Sequence, residues 1–383
     1  MKLRYFDNAA TSWPKPPAVA AAVHRCLVRG GGNAGRSGHA KAVAAARTVL
    51  RARELIAELF HVADPSRIVF TKNATEALNL ALYGLLSPGD RVVTSSMEHN
   101  SVMRPLRHLE RMGVRLEVVP AAVGGVIEPA AFCAALAAGA RLAVVTHASN
   151  VTGAVTDIAR IGEHCRGLGV PLLVDAAQTA GCVPIDVEAM RVDFLAFSGH
   201  KGLLGPQGTG GLYVRDARAL EPLLRGGTGS RSDREEQPEF LPDRYESGTL
   251  NTPGIAGLGA GVEYLLRRGV TSVRAHERRL LEIFLEGIEV VPGVEAYGPA
   301  DTAARTGVLS LNITGLSCSE AGSALEDRFG LLTRVGLHCA PIAHRSLGTF
   351  PEGTVRFGWG PFTREGDVRA AVRALRTLAG ERR

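Results

Sequence analysis

The chain reads as an α/β protein: a large domain around a mostly parallel seven-stranded sheet covered by helices, with a smaller α+β domain beside it. Three observations predict this. Short apolar runs rich in Val, Ile and Leu recur seven times before residue 215. Segments with apolar residues at helical spacing lie between them, which is the alternation of an α/β layer. After about residue 220 the pattern changes and shorter, mixed elements take over. With 383 residues, 45% of them hydrophobic, the chain can bury a substantial core.

The strand candidates follow in order: "RIVFT" (67–71), "RVVTS" (91–95), "VRLEVVP" (114–120), "LAVVTH" (142–147), "PLLVDA" (171–176), "FLAFSGH" (194–200) and "GGLYV" (210–214). Stretches such as "NATEALNLALYGLL" and "DIARIGEHCRGLG" supply the helices between them. In such a sheet, ligands belong at the carboxyl ends of the strands. The charged run "SRSDREEQPEF" (230–240) reads as a surface loop, followed by helices near 254–268 and 270–288. "GVLSLNIT", a helix near 318–329, "TVRFGW" and an Arg-rich helix from about 364 form the compact remainder. The expected organisation is a large domain over 15–250 and a small one over 251–383 joined by residues 1–14.

Composition narrows the function. The net charge is +6, but the basic residues are scattered singly and lack the interleaved aromatics of a nucleic-acid groove. Six cysteines stand far apart with no C-x-x-C pair, so reduced thiols and a cytoplasmic setting are expected. No apolar run is long enough to span a bilayer, and the N-terminus lacks a signal-like apolar stretch. No metal is expected.

Only five of the 44 basic residues are lysines, and Lys201 is the one in an unusual place. It follows an apolar strand and opens the glycine-rich "GLLGPQGTGG", at the predicted ligand edge. A desolvated amine there can form a Schiff base with a cofactor carbonyl. The glycines do not make a dinucleotide loop, because they lead into a strand and not a helix. Asp175 ends another strand, with Gln178 three residues on. A carboxylate at that apolar edge wants a cation, such as a protonated pyridine nitrogen, or else caps a helix. Ala74 and Thr75 begin a helix whose free N–H groups suit a phosphate, and His99 follows a further strand, where it could stack on a cofactor or be structural. Cys339 lies in "RVGLHCAPIAH", an irregular stretch where a thiol is expected to be exposed. A carrier using His338, Cys339 and His344 as metal ligands is the rival from another class, and the spacing fits no structural zinc pattern well.

Together "YFDNAATS", "NATEALN", "MEHNS", "SNVTGAV", "VDAAQTAG", "FSGHKGLLGPQGTG", "ESGTLNTPGI", "RVGLHCAP" and "TVRFGWG" resemble the class V aminotransferase group of pyridoxal-phosphate enzymes. Within it the likeness is to cysteine desulfurases and selenocysteine lyases, and it covers nearly the full length. The resemblance implies the type I fold of these enzymes and pyridoxal 5'-phosphate bound covalently to Lys201. Asp175 would pair with its ring nitrogen, Gln178 would bond its phenolic oxygen, and His99 would stack on the ring. Thr75, Ser198 and His200 would hold the phosphate, beside the helix start at Ala74, joined by Thr249 of a partner chain in a homodimer. Asn150 would lie beside cofactor and substrate, and Arg356 would clamp the substrate carboxylate. Cys339 would receive the sulfur of L-cysteine as a persulfide while alanine is released; the same site could act on L-selenocysteine, whose weaker carbon–selenium bond would not need Cys339 as acceptor. The short approach to Cys339 is similar to a brief-loop group whose members often use a sulfur-accepting partner protein. The alternative on the same scaffold is a transaminase, lyase or epimerase in which Cys339 is incidental.

Overall fold

The computed structural model describes residues 2–35, 37–216 and 219–381. In chain order the strands are β1 (Arg4–Tyr5), β2 (Ile68–Thr71), β3 (Arg91–Ser95), β4 (Arg115–Val119), β5 (Leu142–Thr146), β6 (Leu172–Asp175), β7 (Phe194–Ser198), β8 (Gly210–Val214), β9 (Val294–Tyr297), β10 (Val308–Ile313), β11 (Leu331–Leu332), β12 (Arg334–Gly336) and β13 (Thr354–Gly358). The helices are α1 (Pro17–Arg25), α2 (Ala40–Leu59), α3 (Ala74–Leu85), α4 (Asn100–Arg111), α5 (Pro129–Leu136), α6 (Ile158–Leu168), α7 (Thr252–Arg268), α8 (Val270–Glu289), α9 (Cys318–Phe329), α10 (Pro341–Ser346) and α11 (Glu365–Gly380).

All seven apolar runs enter one sheet, ordered β2-β8-β7-β6-β5-β3-β4. Its strands pair in parallel except for β8, which runs antiparallel to both β7 and β2. The runs read as continuously apolar because both faces are covered. Leu172 and Val174 pack into one core while Leu173 packs into the other, and Leu195 and Phe197 oppose Phe194 and Ala196 in the same way. Each such side chain contributes about 1.5–3 kcal/mol by leaving water.

Four of the remaining strands build a separate antiparallel sheet, β12-β13-β10-β9, backed by α8, α9 and α11 around Phe6, Phe284, Phe357 and Trp359. The N-terminus joins this layer, because β1 pairs in parallel with β11 and Asp7 bridges to Gly358. Residues 230–240 form turns without regular structure, as the charged sequence suggests. Among the described residues no helix is long and apolar enough to cross a membrane.

A buried ion pair secures the segment that carries Thr249. Arg53 on α2 meets Glu246 through two 2.8 Å bonds, and Glu246 also accepts the Phe70 N–H at 2.6 Å. Removing one partner would strand the other charge, at a cost of about 3–5 kcal/mol.

Candidate active site

The carboxyl ends of β5, β6 and β7 and the loop after β3 open on one cavity of about 260 Å³, closed from the other side by residues of β12, β13 and the N-terminal segment. Ala74, Thr75, His99, Asn150, Asp175, Gln178, Ser198, His200, Lys201, Cys339 and Arg356 all line it. Thr249 does not. It is exposed in a different groove, where Asn33 donates to its hydroxyl at 3.4 Å.

Lys201 stands three residues past β7, in a turn that only glycine permits. A Cβ on Gly199 would come within 2.2 Å of Thr209 Oγ1, and one on Gly202 within 2.4 Å of the Ala180 carbonyl. The N-terminal segment ties this turn down. Ser12 N–H and Lys15 Nζ donate to the His200 carbonyl at 3.1 and 2.7 Å, and Ser12 Oγ donates to the Lys201 carbonyl at 2.9 Å. Burial disfavours the charged ammonium, Asp175 opposes that, and the Lys201 pKa falls to about 8. A useful fraction of the amine is therefore neutral and nucleophilic near neutral pH.

Asp175 ends the central strand with 4% exposure, and its Oδ1 accepts the Ala177 N–H at 2.9 Å. No helix follows, so its partner is a turn N–H and not a helix start. Burial pushes its carboxyl above the ordinary range, which the Ala177 N–H and Lys201 partly offset. A cation placed beside it would satisfy what burial has taken away.

The phosphate-sized end of the cavity is the start of α3. Asn73 caps the helix by accepting the Glu76 N–H, Ala74 N–H points to Ser198 Oγ at 3.4 Å, and Thr75 Oγ1 lies 2.7 Å from Ser101 Oγ. His200 adds a buried Nδ1 without a partner. An anion there gains unsatisfied donors and the positive end of a helix. These residues fit a phosphorylated pyridine aldehyde: an amine for the aldehyde, a buried carboxylate for the ring nitrogen, and donors for the phosphate.

His99 serves two purposes. Its Nδ1 accepts the Ser101 N–H at 3.0 Å and so caps α4, while the ring lines the cavity. Burial, reinforced by the charges of Lys201, Arg356, Arg334 and Arg104, lowers its pKa to about 3, so the ring is neutral. Gln178 donates from Nε2 to the Ala9 carbonyl at 3.1 Å. Arg356 is 2% exposed; its Nη2 bonds Asp7 Oδ1 at 2.9 Å, its Nη1 bonds the Asn150 carbonyl at 3.1 Å, and its Nε is buried without a partner.

Cys339 is exposed, as its irregular sequence suggests. For the rival metal reading, His338 Nε2 lies 2.9 Å from Thr354 Oγ1 and His344 Nδ1 2.7 Å from Thr349 Oγ1, and among the described residues no three His, Cys, Asp or Glu side chains are grouped to hold a metal ion. Three neighbours escape sequence reasoning. Arg334 places Nη2 3.8 Å from Cys339 Sγ, Asp7 holds Arg356, and the fully buried Glu98 accepts Ser95 Oγ at 2.5 Å and the Thr146 N–H at 2.9 Å. Burial raises the Glu98 pKa to about 8. Glu98 stands immediately before His99 in "MEHNS", and Arg334 begins "RVGLHC". A charged residue within the same short motif as the singled-out histidine or cysteine is the signal that could have found both.

The aminotransferase class-V family model matches residues 4–370. A probable cysteine desulfurase of Methanothermobacter thermautotrophicus is 37% identical over 98% of this chain and 94% of its own, and a cysteine desulfurase of Dickeya dadantii is 35% identical over 90% and 84%. Among solved structures, the apo cysteine desulfurase of Thermococcus onnurineus superposes with a TM-score of 0.93 at 32% identity, covering 99% of this chain and 95% of that one. A cysteine desulfurase from Escherichia coli gives 0.87 at 30% identity, with 98% and 94% covered. The architecture is accordingly the type I fold, and the chain belongs to the aminotransferase class-V family.

Proposed function

We propose that the chain is a pyridoxal-phosphate-dependent cysteine desulfurase, releasing L-alanine from L-cysteine and taking the sulfur onto Cys339 as a persulfide. The observation that carries this reading is that Lys201, Asp175 and an exposed cysteine face one cavity. The relatives named above support the same substrate. Bound here, the cofactor supplies a conjugated ring that withdraws electron density from the substrate's Cα and loosens the bond to sulfur.

The chain's own residues do the rest. The Lys201 amine, with its lowered pKa, would hold the aldehyde covalently, and the same amine is the base placed to remove the substrate's Cα proton. Asp175 would hold the ring nitrogen, Gln178 the phenolic oxygen, and the neutral His99 ring would lie against the cofactor. Ala74, Thr75, Ser198 and His200 hold the phosphate. Arg356 receives the substrate carboxylate, for which its planar fork suits a two-point bond, with Asn150 alongside. Cys339 attacks the sulfur as thiolate from its exposed loop, beside the Arg334 guanidinium.

Thr249 faces away from the cavity of its own chain, which suits service to the phosphate of a second copy in a homodimer. The persulfide is then handed to a sulfur-accepting protein or a reductant. Six free cysteines suit the reducing cytoplasm. L-Selenocysteine fits the same contacts.

The test is the visible spectrum of purified holoenzyme before and after L-cysteine, with alanine and sulfide quantified. A yellow band that changes with L-cysteine while alanine accumulates supports the proposal. Transfer of the amino group to a keto acid without alanine formation would instead assign a transaminase.

A further inference from the structure

His338 and Cys339 both adopt left-handed backbone angles, with φ of +48° and +58°. A residue with a Cβ is disfavoured there, and two in succession persist only where their surroundings hold them. The holding contacts are visible. Asn150 donates from Nδ2 to the His338 carbonyl at 2.6 Å. The His338 ring, 3% exposed, bonds Thr354 Oγ1 on β13. The Asn100 N–H, at the start of α4, donates to the Cys339 carbonyl at 2.8 Å, and the Ala340 N–H closes the turn onto the Leu337 carbonyl at 2.8 Å. Asn150 also accepts from Arg356 through its own carbonyl, so the carboxylate arginine and the thiol loop meet on one asparagine.

We propose that Asn150 and Thr354 are positioning residues for Cys339: they grip His338 by its carbonyl and its ring, and thereby fix the left-handed turn that aims the thiol into the cavity. For Asn150 this is a role separate from contact with substrate or cofactor. Losing either grip lets the pair relax to ordinary angles. The Cys339 carbonyl then leaves the Asn100 N–H, and the thiol leaves its place beside Arg334. The inference rests on the desulfurase reading only in making Cys339 the sulfur acceptor.

Asn150→Ala and the near-isosteric Thr354→Val are compared with wild-type holoenzyme by two readouts. One is hydrogen exchange, without substrate, at the Asn100 and Ala340 amides. The other is the ratio of L-cysteine desulfuration to elimination from β-chloro-L-alanine, whose chloride departs without a sulfur acceptor. Both amides are expected to exchange on the order of tenfold faster in each variant. Desulfuration should fall about tenfold further than chloroalanine elimination, since small misplacement of a reacting atom is costly. Unchanged exchange with parallel losses on both substrates would overturn the proposal and leave Asn150 a substrate or cofactor contact. If wild-type enzyme acted on neither substrate, the desulfurase reading would fail while the exchange rates still decided the positioning role. Thr354→Val keeps the question answerable if Asn150→Ala does not fold.

Discussion

Lys201 and Cys339 face one cavity from opposite kinds of backbone. The lysine follows a fully buried strand and sits in a turn whose flanking carbonyls are bound by Ser12 and Lys15. The cysteine follows a three-residue strand, is exposed, and occupies a left-handed pair held by side chains from elsewhere in the chain. Burial makes the amine reactive by favouring its neutral form, whereas access and a neighbouring guanidinium serve the thiol, which in the proposed function meets first a substrate and then an acceptor. One site thus needs a rigid half and an approachable half, and the two sheets supply them separately.

The largest effect should come from breaking the rigid half. On the proposed function Lys201→Ala would remove both the covalent anchor and the base, so turnover is expected to fall by on the order of 10⁴-fold or more, with the cofactor lost on gel filtration. Retained turnover would mean that another group serves as base. Asp175→Asn keeps the shape but removes the charge proposed to face the ring nitrogen; a loss of about 10²-fold, with a shifted visible band, is expected from steady-state kinetics and absorbance.

On the approachable half, Arg334→Met tests whether the guanidinium 3.8 Å from Sγ matters. Alkylation of Cys339 by iodoacetamide should slow by about tenfold while the cofactor band is unchanged, since a charge-assisted hydrogen bond is worth about 1.5–3 kcal/mol at most. An unaltered alkylation rate would remove Arg334 from the account.

The smallest effect concerns pH and stability. Burial holds His99, His147, His200, His338 and His344 neutral, with pKa values lowered from 6.5 to about 3, 4, 4, 2 and 4. The unfolded chain binds protons below pH 6.5 that the folded one refuses, so this contribution is full above 6.5 and is lost as pH falls, by about 1.4 kcal/mol per group per unit. Glu98 and Glu277, raised to about 8, act in the opposite sense between 4.5 and 8, and the raised carboxyls of Asp175 and Asp193 add to them, so four carboxyls stand against five histidines. Calorimetry should show the melting temperature falling from pH 6.5 to about pH 5. A flat profile would contradict the neutral histidines.

The rigid half was the more legible in sequence. Each of the seven apolar runs became a strand within two residues at either end, because burial on both faces leaves an unbroken Val, Ile and Leu signal. Lys201 and Asp175 could be placed at the ligand edge from that pattern alone. Asn150, Arg356 and the roles of Gln178 and Thr249 came only with the family resemblance. What stayed hidden depends on contacts between distant segments: Asp7 with Arg356, Ser12 with Lys201, Thr354 with His338. No local pattern announces such pairs. Nor does one announce two consecutive left-handed residues without glycine, which is why "LHCAP" disclosed an exposed thiol but not the turn that aims it.

The most direct test of the central claim is L-cysteine turnover by Cys339→Ala holoenzyme, followed by absorbance and alanine production. The account predicts an unchanged yellow band in the resting enzyme, a spectral response to L-cysteine, and little alanine or transferred sulfur. Alanine production at the wild-type rate with that side chain gone would contradict it.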